Sequence, residues 1–295
     1  MKKPIFKRKV LPAAQLLWFC LLSTFSHFAI ADTSPPPQSE KAGYVPPFKL
    51  FDNVYYVGDK WVSSYLVKTS EGLIVIDTLE YPWSQWIASN ISGLGFDITD
   101  ITLILITHGH SDHASGAGWL QVQSGAEVLM TIESHKVLNQ WLQKADNASV
   151  PLPQNIKYLQ DNDVIKRGDT TMKVISTPGH TDGAISIALD VFDNNTPYRA
   201  LIFGGVGTNF QSLALAKFYQ ESVLKLRRLH EQRPFDVNLA NHPHRAQLFA
   251  RKQHKSGTNP YIDRTGFGEF LKQIENMGKL KFRELNQKAK IGESQ

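Results

Sequence analysis

Three imidazoles and a carboxylate stand within six consecutive positions of the run Thr107-His108-Gly109-His110-Ser111-Asp112-His113. These are nitrogen and oxygen donors of the kind that bind divalent cations, and neutral imidazole is the commonest such ligand. One histidine alone would more often be a packing or solvated residue. Four metal-capable groups at the end of Ile101 to Ile106, an unbroken β-branched and leucine run, point instead to a metal site. In extended chain, residues two apart face the same way, so His108 and His110 can grip one ion. Gly109 is expected to let the turn bend tightly. Ser111-Asp112 then starts a helix that carries Asp112 and His113 toward a neighbouring ion.

A catalytic zinc site takes three protein ligands and keeps a fourth position open, so each ion still lacks one ligand. His180, in Thr177-Pro178-Gly179-His180-Thr181, follows a strand ending at Ile175, and His242, in Asn241-His242-Pro243, follows one ending at Ala240. Both have the address of the first cluster, just past a strand end. His180 is assigned to the first ion with His108 and His110, and His242 to the second with Asp112 and His113. His244 is a weaker competitor for the second ion. His135, His230 and His254 fall on predicted helices or in a loop and read as solvated or packing residues. Asp77 closes the apolar run Leu73 to Ile76 and reads equally as a group orienting the histidine-rich loop or as a turn cap. Asn90-Ile91-Ser92 and Asn147-Ala148-Ser149 match the glycosylation acceptor, a tripeptide too common to carry weight.

Composition narrows the chemistry further. The first 31 residues read as a secretory signal, with a charged start at Lys2, Lys3, Lys7, Arg8 and Lys9, an apolar stretch from Val10 to Phe25, and the small-residue site Ala29-Ile30-Ala31. The stretch is short for a membrane span and contains Gln15 and Ser23. A lipid anchor on Cys20 is disfavoured by Trp18-Phe19 before it. The expected location is therefore periplasmic or secreted, with no stable membrane association after cleavage near Asp32. The signal holds five of the 32 Lys+Arg and none of the 27 Asp+Glu, so the remainder is balanced and gives no reason to invoke nucleic acid. The basic excess after Arg245 reads as a solvated helix face. The one cysteine, Cys20, leaves with the signal, which excludes disulfides, a cysteine nucleophile and thiolate ligands.

The elements that must position these residues alternate along the chain. Asn53 to Val57, Ser63 to Lys68 and Leu73 to Ile76 read as antiparallel strands. Helix Trp83 to Leu94, strand Ile101 to Ile106, helix Gly116 to Ser124, strand Glu127 to Met130 and helix Ser134 to Leu142 follow. After a polar loop come strands Thr171 to Ile175, Ala184 to Leu189 and Arg199 to Phe203, a helix from Ala214 to Leu229, a strand Val237 to Ala240 and a helix from Gly266 to Gln287. Two such halves of mixed strands with outer helices predict an α/β fold, a four-layer αβ/βα sandwich, as one domain over 49–295. The stretch 32–48, with five prolines between Thr33 and Pro47, reads as a tether.

The histidine-rich run, Pro178-Gly179-His180 and Ile76-Asp77-Thr78 resemble the metallo-β-lactamase superfamily, and more closely subclass three of the class B β-lactamases. Phe51 to Gly58 with Ser63 to Leu66, and Asn259 to Gly266, support the subclass. The resemblance implies the metallo-β-lactamase fold and two Zn2+ ions held by His108, His110 and His180 and by Asp112, His113 and His242. It also implies a zinc-activated hydroxide, oriented by Asp112, opening a small-molecule β-lactam and conferring antibiotic resistance. A related exported hydrolase of lactones, thioesters or phosphoesters is the alternative. Many superfamily hydrolases such as glyoxalase II place a bridging aspartate after the strand equivalent to Ala200 to Phe203. Thiolate-using lactamases place a cysteine there, and subclass three often a serine. This chain has Gly204-Gly205-Val206, with Thr208 or Asn209 as candidate substitutes.

Overall fold

Apolar runs with two-residue periodicity build two sheets whose facing sides share one core. The structure, a computed structural model, describes residues 36–254 and 257–292, so the secretory signal read in residues 1–31 lies outside the described residues. The first sheet contains β1 (Phe48–Phe51), β2 (Val54–Tyr56), β3 (Tyr65–Thr69), β4 (Gly72–Ile76), β5 (Ile101–Leu105), β6 (Glu127–Met130) and β7 (Lys157–Tyr158), side by side in chain order. Pairing is antiparallel from β1 to β4 and parallel from β4 to β7. Interposed are α1 (Ser84–Gly93), α2 (Ser111–Ala114), α3 (Ala117–Ser124) and α4 (Ile132–Leu142). The second sheet holds β8 (Val164–Arg167), β9 (Thr170–Ser176), β10 (Ile185–Asp193), β11 (Thr196–Ile202) and β12 (Val237–Asn238), in the order β12-β11-β10-β9-β8. Helices α5 (Leu213–Gln232), α6 (Leu248–Lys252) and α7 (Arg264–Gly292) complete this half.

The alternation along β4 and β5 decides the layering. Ile74, Ile76, Leu103 and Leu105 point toward the second sheet and join Val174, Ile187 and Leu201 in one core. Leu73, Val75, Ile101 and Ile104 point the other way and pack on Ile87, Ile91, Leu120 and Leu138 of α1, α3 and α4. Val223 and Leu226 of α5 and Phe267 and Phe270 of α7 cover the second sheet from outside. The result is the expected helix, sheet, sheet, helix sandwich. Local chemistry sets the helix ends: Thr131 Oγ1 accepts from Ser134 N at 3.2 Å to open α4, and Gly125, in the left-handed region at φ 75°, closes α3.

The structure differs from the sequence reading at the edges. The polar loop after α4 contains β7 and β8, whose side chains are mostly exposed, so neither shows the apolar face that marks a strand. From Pro36 onward the proline-rich stretch is not a free tether. The Pro36 carbonyl accepts from Trp86 Nε1 at 3.0 Å, Tyr44 Oη donates to Asn90 Oδ1 at 2.8 Å, and Phe48 already begins β1. Asn90, one of the two glycosylation tripeptides, is fully buried beneath it. Among the described residues no helix is long and apolar enough to cross a membrane.

The two sheets are stitched together where their strands end. Ile185 N donates to the Thr107 carbonyl at 2.9 Å, and Ser63 N to the Asn241 carbonyl at 2.9 Å. Gly204 lies in this seam, and a Cβ there would stand 2.0 Å from the Ile185 oxygen and 2.6 Å from Thr107 Cβ. Gly204→Ala should therefore cost about 2 kcal/mol by overpacking and lower the melting temperature by roughly 4–8 °C, measured by circular dichroism.

Candidate metal centre

His108, His110, Asp112 and His113 lie on the chain that leaves β5, bends and enters α2, whose first residue is Ser111. The bend depends on Gly109 for a steric reason rather than a tight turn: a Cβ there would fall 2.0 Å from the Ser134 carbonyl oxygen of α4. His180 follows β9, and His242 stands two residues after Ala240, where the chain leaving β12 meets β3. Ser63 Oγ and Tyr65 Oη both donate to the Ala240 carbonyl, at 3.0 and 2.8 Å. The six residues assemble as two triads, His108 with His110 and His180, and Asp112 with His113 and His242, the potential donor atoms of each within 4.8 Å of one another. The rings of His108 and His113 lie 4.2 Å apart, so the triads adjoin.

Four of the five rings are held by the nitrogen they do not offer. His113 Nδ1 donates to Asp77 Oδ2 at 2.8 Å, His180 Nδ1 to the Gly207 carbonyl at 2.9 Å, and His242 Nδ1 to the Trp61 carbonyl at 2.8 Å. His108 Nδ1 lies 3.2 Å from Thr107 Oγ1. These contacts direct Nε2 of all four rings inward, while His110 presents Nδ1, 3.0 Å from His180 Nε2. Such outer contacts fix ring orientation and tautomer in metal sites. Asp77 is the orienting group: it is buried, its Oδ1 accepts from Thr107 N at 2.8 Å, and its Oδ2 also accepts from Thr107 Oγ1 at 2.8 Å. The Trp61 and Gly207 carbonyls had no signal in the sequence, because a backbone acceptor can belong to any residue.

Electrostatics suit a cation. Burial, reinforced by the neighbouring imidazoles, holds His108 well below the usual histidine range and pushes His180 down to about 3. Burial also lowers His110, against the pull of Asp112, and His242. Burial would raise Asp112, but His113, His242 and His110 outweigh it and keep the carboxyl well below its ordinary value. His113 is the exception among the rings. Burial pulls it down, but Asp77 and Asp112 prevail and push it up to about 10. The decisive fit is polar satisfaction: His108 Nε2 is buried without any hydrogen-bond partner, and His113 Nε2 makes no hydrogen bond and faces only the Asp112 carboxylate of its own triad, 3.4 Å away. Orphaned buried polar atoms are costly, and a bound cation would satisfy His108 Nε2 directly and His113 Nε2 once that ring gives up its proton.

Two concavities of about 480 Å³ each open beside the centre, with Asp112 in the wall of both. One is lined by His110, Val137, Trp141, Lys144 and Asn209, the other by Asp59, Trp61, Glu80 and Trp83. Of the two proposed substitutes for the absent serine, Asn209 faces the centre beside His110 and Thr208 is not among the lining residues. His244 is exposed and stays outside both triads. His135 is held by Tyr158 and Asn139, and His230 accepts from Phe235 N and stacks on Phe267, so both are structural.

Residues 58–191, which include Asp77, the histidine-rich run and His180, match the family model described as the metallo-beta-lactamase superfamily. The chain carries a metallo-β-lactamase superfamily domain. Its fold is similar to a subclass B3 metallo-β-lactamase of Bradyrhizobium japonicum, with a TM-score of 0.73 and 26% identity over 83% of this chain and 96% of that one. The native metallo-β-lactamase from Legionella gormanii gives 0.71 and 27%, over 82% and 97%. In sequence the chain is also similar to a hydroxyacylglutathione hydrolase of Rhodopseudomonas palustris, 30% identical over 135 residues, which are 46% of each chain. One from Rhizobium etli is 35% identical over 85 residues, 28% of its length. The match thus spans about half or less of these curated relatives.

Two outcomes follow for metal uptake. Asp77→Ala should weaken zinc affinity about 10- to 100-fold in a chelator competition, because His113 loses its orienting partner. Because His113 of the metal-free protein stays protonated until about pH 10, uptake at neutral pH must displace its proton. Calorimetry in buffers of different ionisation enthalpy should therefore show about one proton released on filling the second triad, and affinity there should rise with pH up to that value.

Proposed function

We propose that this domain is an exported dizinc hydrolase that opens β-lactam rings and so confers antibiotic resistance. The observation that carries the reading is that both triads are complete without a bridging acid or thiolate. Where the superfamily's thioester hydrolases place an aspartate, this chain runs Gly204-Gly205-Val206-Gly207 and offers the centre only backbone. The similarity to subclass B3 structures over four-fifths of the chain supports it. Zinc, when bound, lowers the pKa of a water toward 7 and polarises a carbonyl oxygen.

The chain's own residues do the rest. His108, His110 and His180 would hold one ion; Asp112, His113 and His242 would hold the other. The Asp112 carboxylate, ionised and in the wall of both concavities, is placed to orient the attacking water and accept its proton. As the carbonyl carbon gains the water oxygen and the ring C–N bond breaks, that proton passes to the departing nitrogen. Lys144 and Asn209 supply a cation and a carboxamide for the substrate's carboxylate, and Val137 and Trp141 an apolar wall.

A second reading, thioester hydrolysis, is favoured by the hydroxyacylglutathione hydrolases among the sequence relatives. The two separate on one experiment. Zinc-loaded protein should open a chromogenic cephalosporin with a higher kcat/KM than it shows for a hydroxyacyl thioester or an acyl-lactone, and the reverse order would replace the first reading by the second. Lys144→Ala should raise KM for the cephalosporin about fivefold and leave kcat within about twofold, the signature of a binding contact made by an exposed charge.

A further inference from the structure

The second concavity differs in chemistry from the first. Asp59 is 7% exposed, yet its carboxylate lines the cavity. Its Oδ1 accepts from Trp61 N at 2.7 Å and Val62 N at 2.6 Å, while Oδ2 has no hydrogen-bond partner among the described residues. That oxygen is left to the cavity, where solvent or a cation can complete it. Glu80 lines the same cavity and has no ion pair among the described residues. Lys41, at the exposed rim, is the only cation among the described lining residues, so carboxylates outnumber it even with Asp112 set aside.

Two indoles complete the wall. Trp61 is 53% exposed, unusual for so large an apolar ring, and its backbone is held on both sides. Asp59 fixes its amide, its carbonyl holds His242, and Gly43 lies so close behind the ring that a Cβ there would come within 2.0 Å of it. Trp83 is braced by Trp86, ring centroids 4.8 Å apart. Carboxylates and indoles lining one cavity are the chemistry that recognises an alkylammonium, by charge and by cation–π attraction.

We propose that Asp59, Glu80, Trp61 and Trp83 form a subsite for a protonated amine on the substrate, across Asp112 from the end where Lys144 stands. The proposal rests on the β-lactam reading of the adjoining centre. The substrate class is accordingly a zwitterion, its carboxylate toward Lys144 and an amine-bearing substituent toward Trp61.

Two measurements on the zinc-loaded protein test it. For β-lactams bearing a primary aminoalkyl side chain or the matching hydroxyalkyl chain, kcat/KM should favour the amine by about tenfold, and Asp59→Asn, which keeps the Oδ1 contacts, should bring the ratio near one. Quenching of tryptophan fluorescence by benzyltrimethylammonium should saturate, with a Kd about tenfold weaker in Asp59→Asn. A ratio near one in the unaltered protein, or a ratio and Kd that the substitution leaves in place, overturns the subsite. If no β-lactam is turned over but the ammonium still binds through Asp59, the β-lactam reading fails and the subsite stands. Should Asp59→Asn not fold, Glu80→Gln is read in both assays, where a shift of about threefold supports the subsite and none overturns it.

Discussion

One carboxylate fastens the whole centre. Asp77 sits at the end of β4 with its backbone in the left-handed region at φ 61°, a conformation that costs a non-glycine residue about 1–2 kcal/mol. The strain is held by contacts on every side. Its amide donates to the Leu105 carbonyl at 2.9 Å, its carbonyl accepts from Ser64 Oγ at 2.7 Å, and its side chain takes three hydrogens from Thr107 and His113. Thr107 in turn binds Ile185 of the other sheet through its carbonyl. The histidine-rich loop is thereby locked to both halves of the sandwich, and His180 and His242 need only arrive at a place already defined. Observed backbone strain of this kind is characteristic of functional sites, where the surroundings over-determine the geometry.

Much of this was legible in the chain itself. The β-branched run before Thr107 and the alternation in β4 located the strands that matter, and the histidine spacing separated the two triads, because extended chain repeats every two residues. What stayed hidden was non-local. β7 and β8 are edge strands with exposed side chains, so their pairing left no apolar pattern, and Val237 to Ala240 forms only a two-residue strand before the chain turns toward His242. The prolines before Phe48 suggested a tether because composition cannot show that Trp86 Nε1 awaits a carbonyl from Pro36. Asp77 could be read as cap or as orienting group until its three acceptor contacts were seen. The need for glycine at position 109 came from α4, a segment more than twenty residues further on.

The electrostatic design separates two tasks. Burial keeps four imidazoles neutral and therefore able to donate lone pairs, whereas His113 and Asp112 form a charged couple steadied by Asp77. Around this core the two openings carry different character, Lys144 with an apolar floor on one side and carboxylates with indoles on the other. The ion-binding chemistry is thus built from buried groups on strand ends, and recognition from half-exposed groups on loops, the usual division in folds that serve many substrates.

The glycine-rich stretch after β11 gives that division an evolutionary consequence. A Cβ on Gly205 would sit 3.0 Å from His180 Cβ, and one on Gly207 would sit 3.1 Å from His180 Cε1. A side chain added at either position meets His180 first, so this wall can change only where His180 gives by a few tenths of an ångström. Gln140 and Lys144 line the first opening, and neither holds a ring of the centre. Changes of substrate preference are therefore easier to make on that wall than on the glycine stretch, where each added atom must first be accommodated by His180.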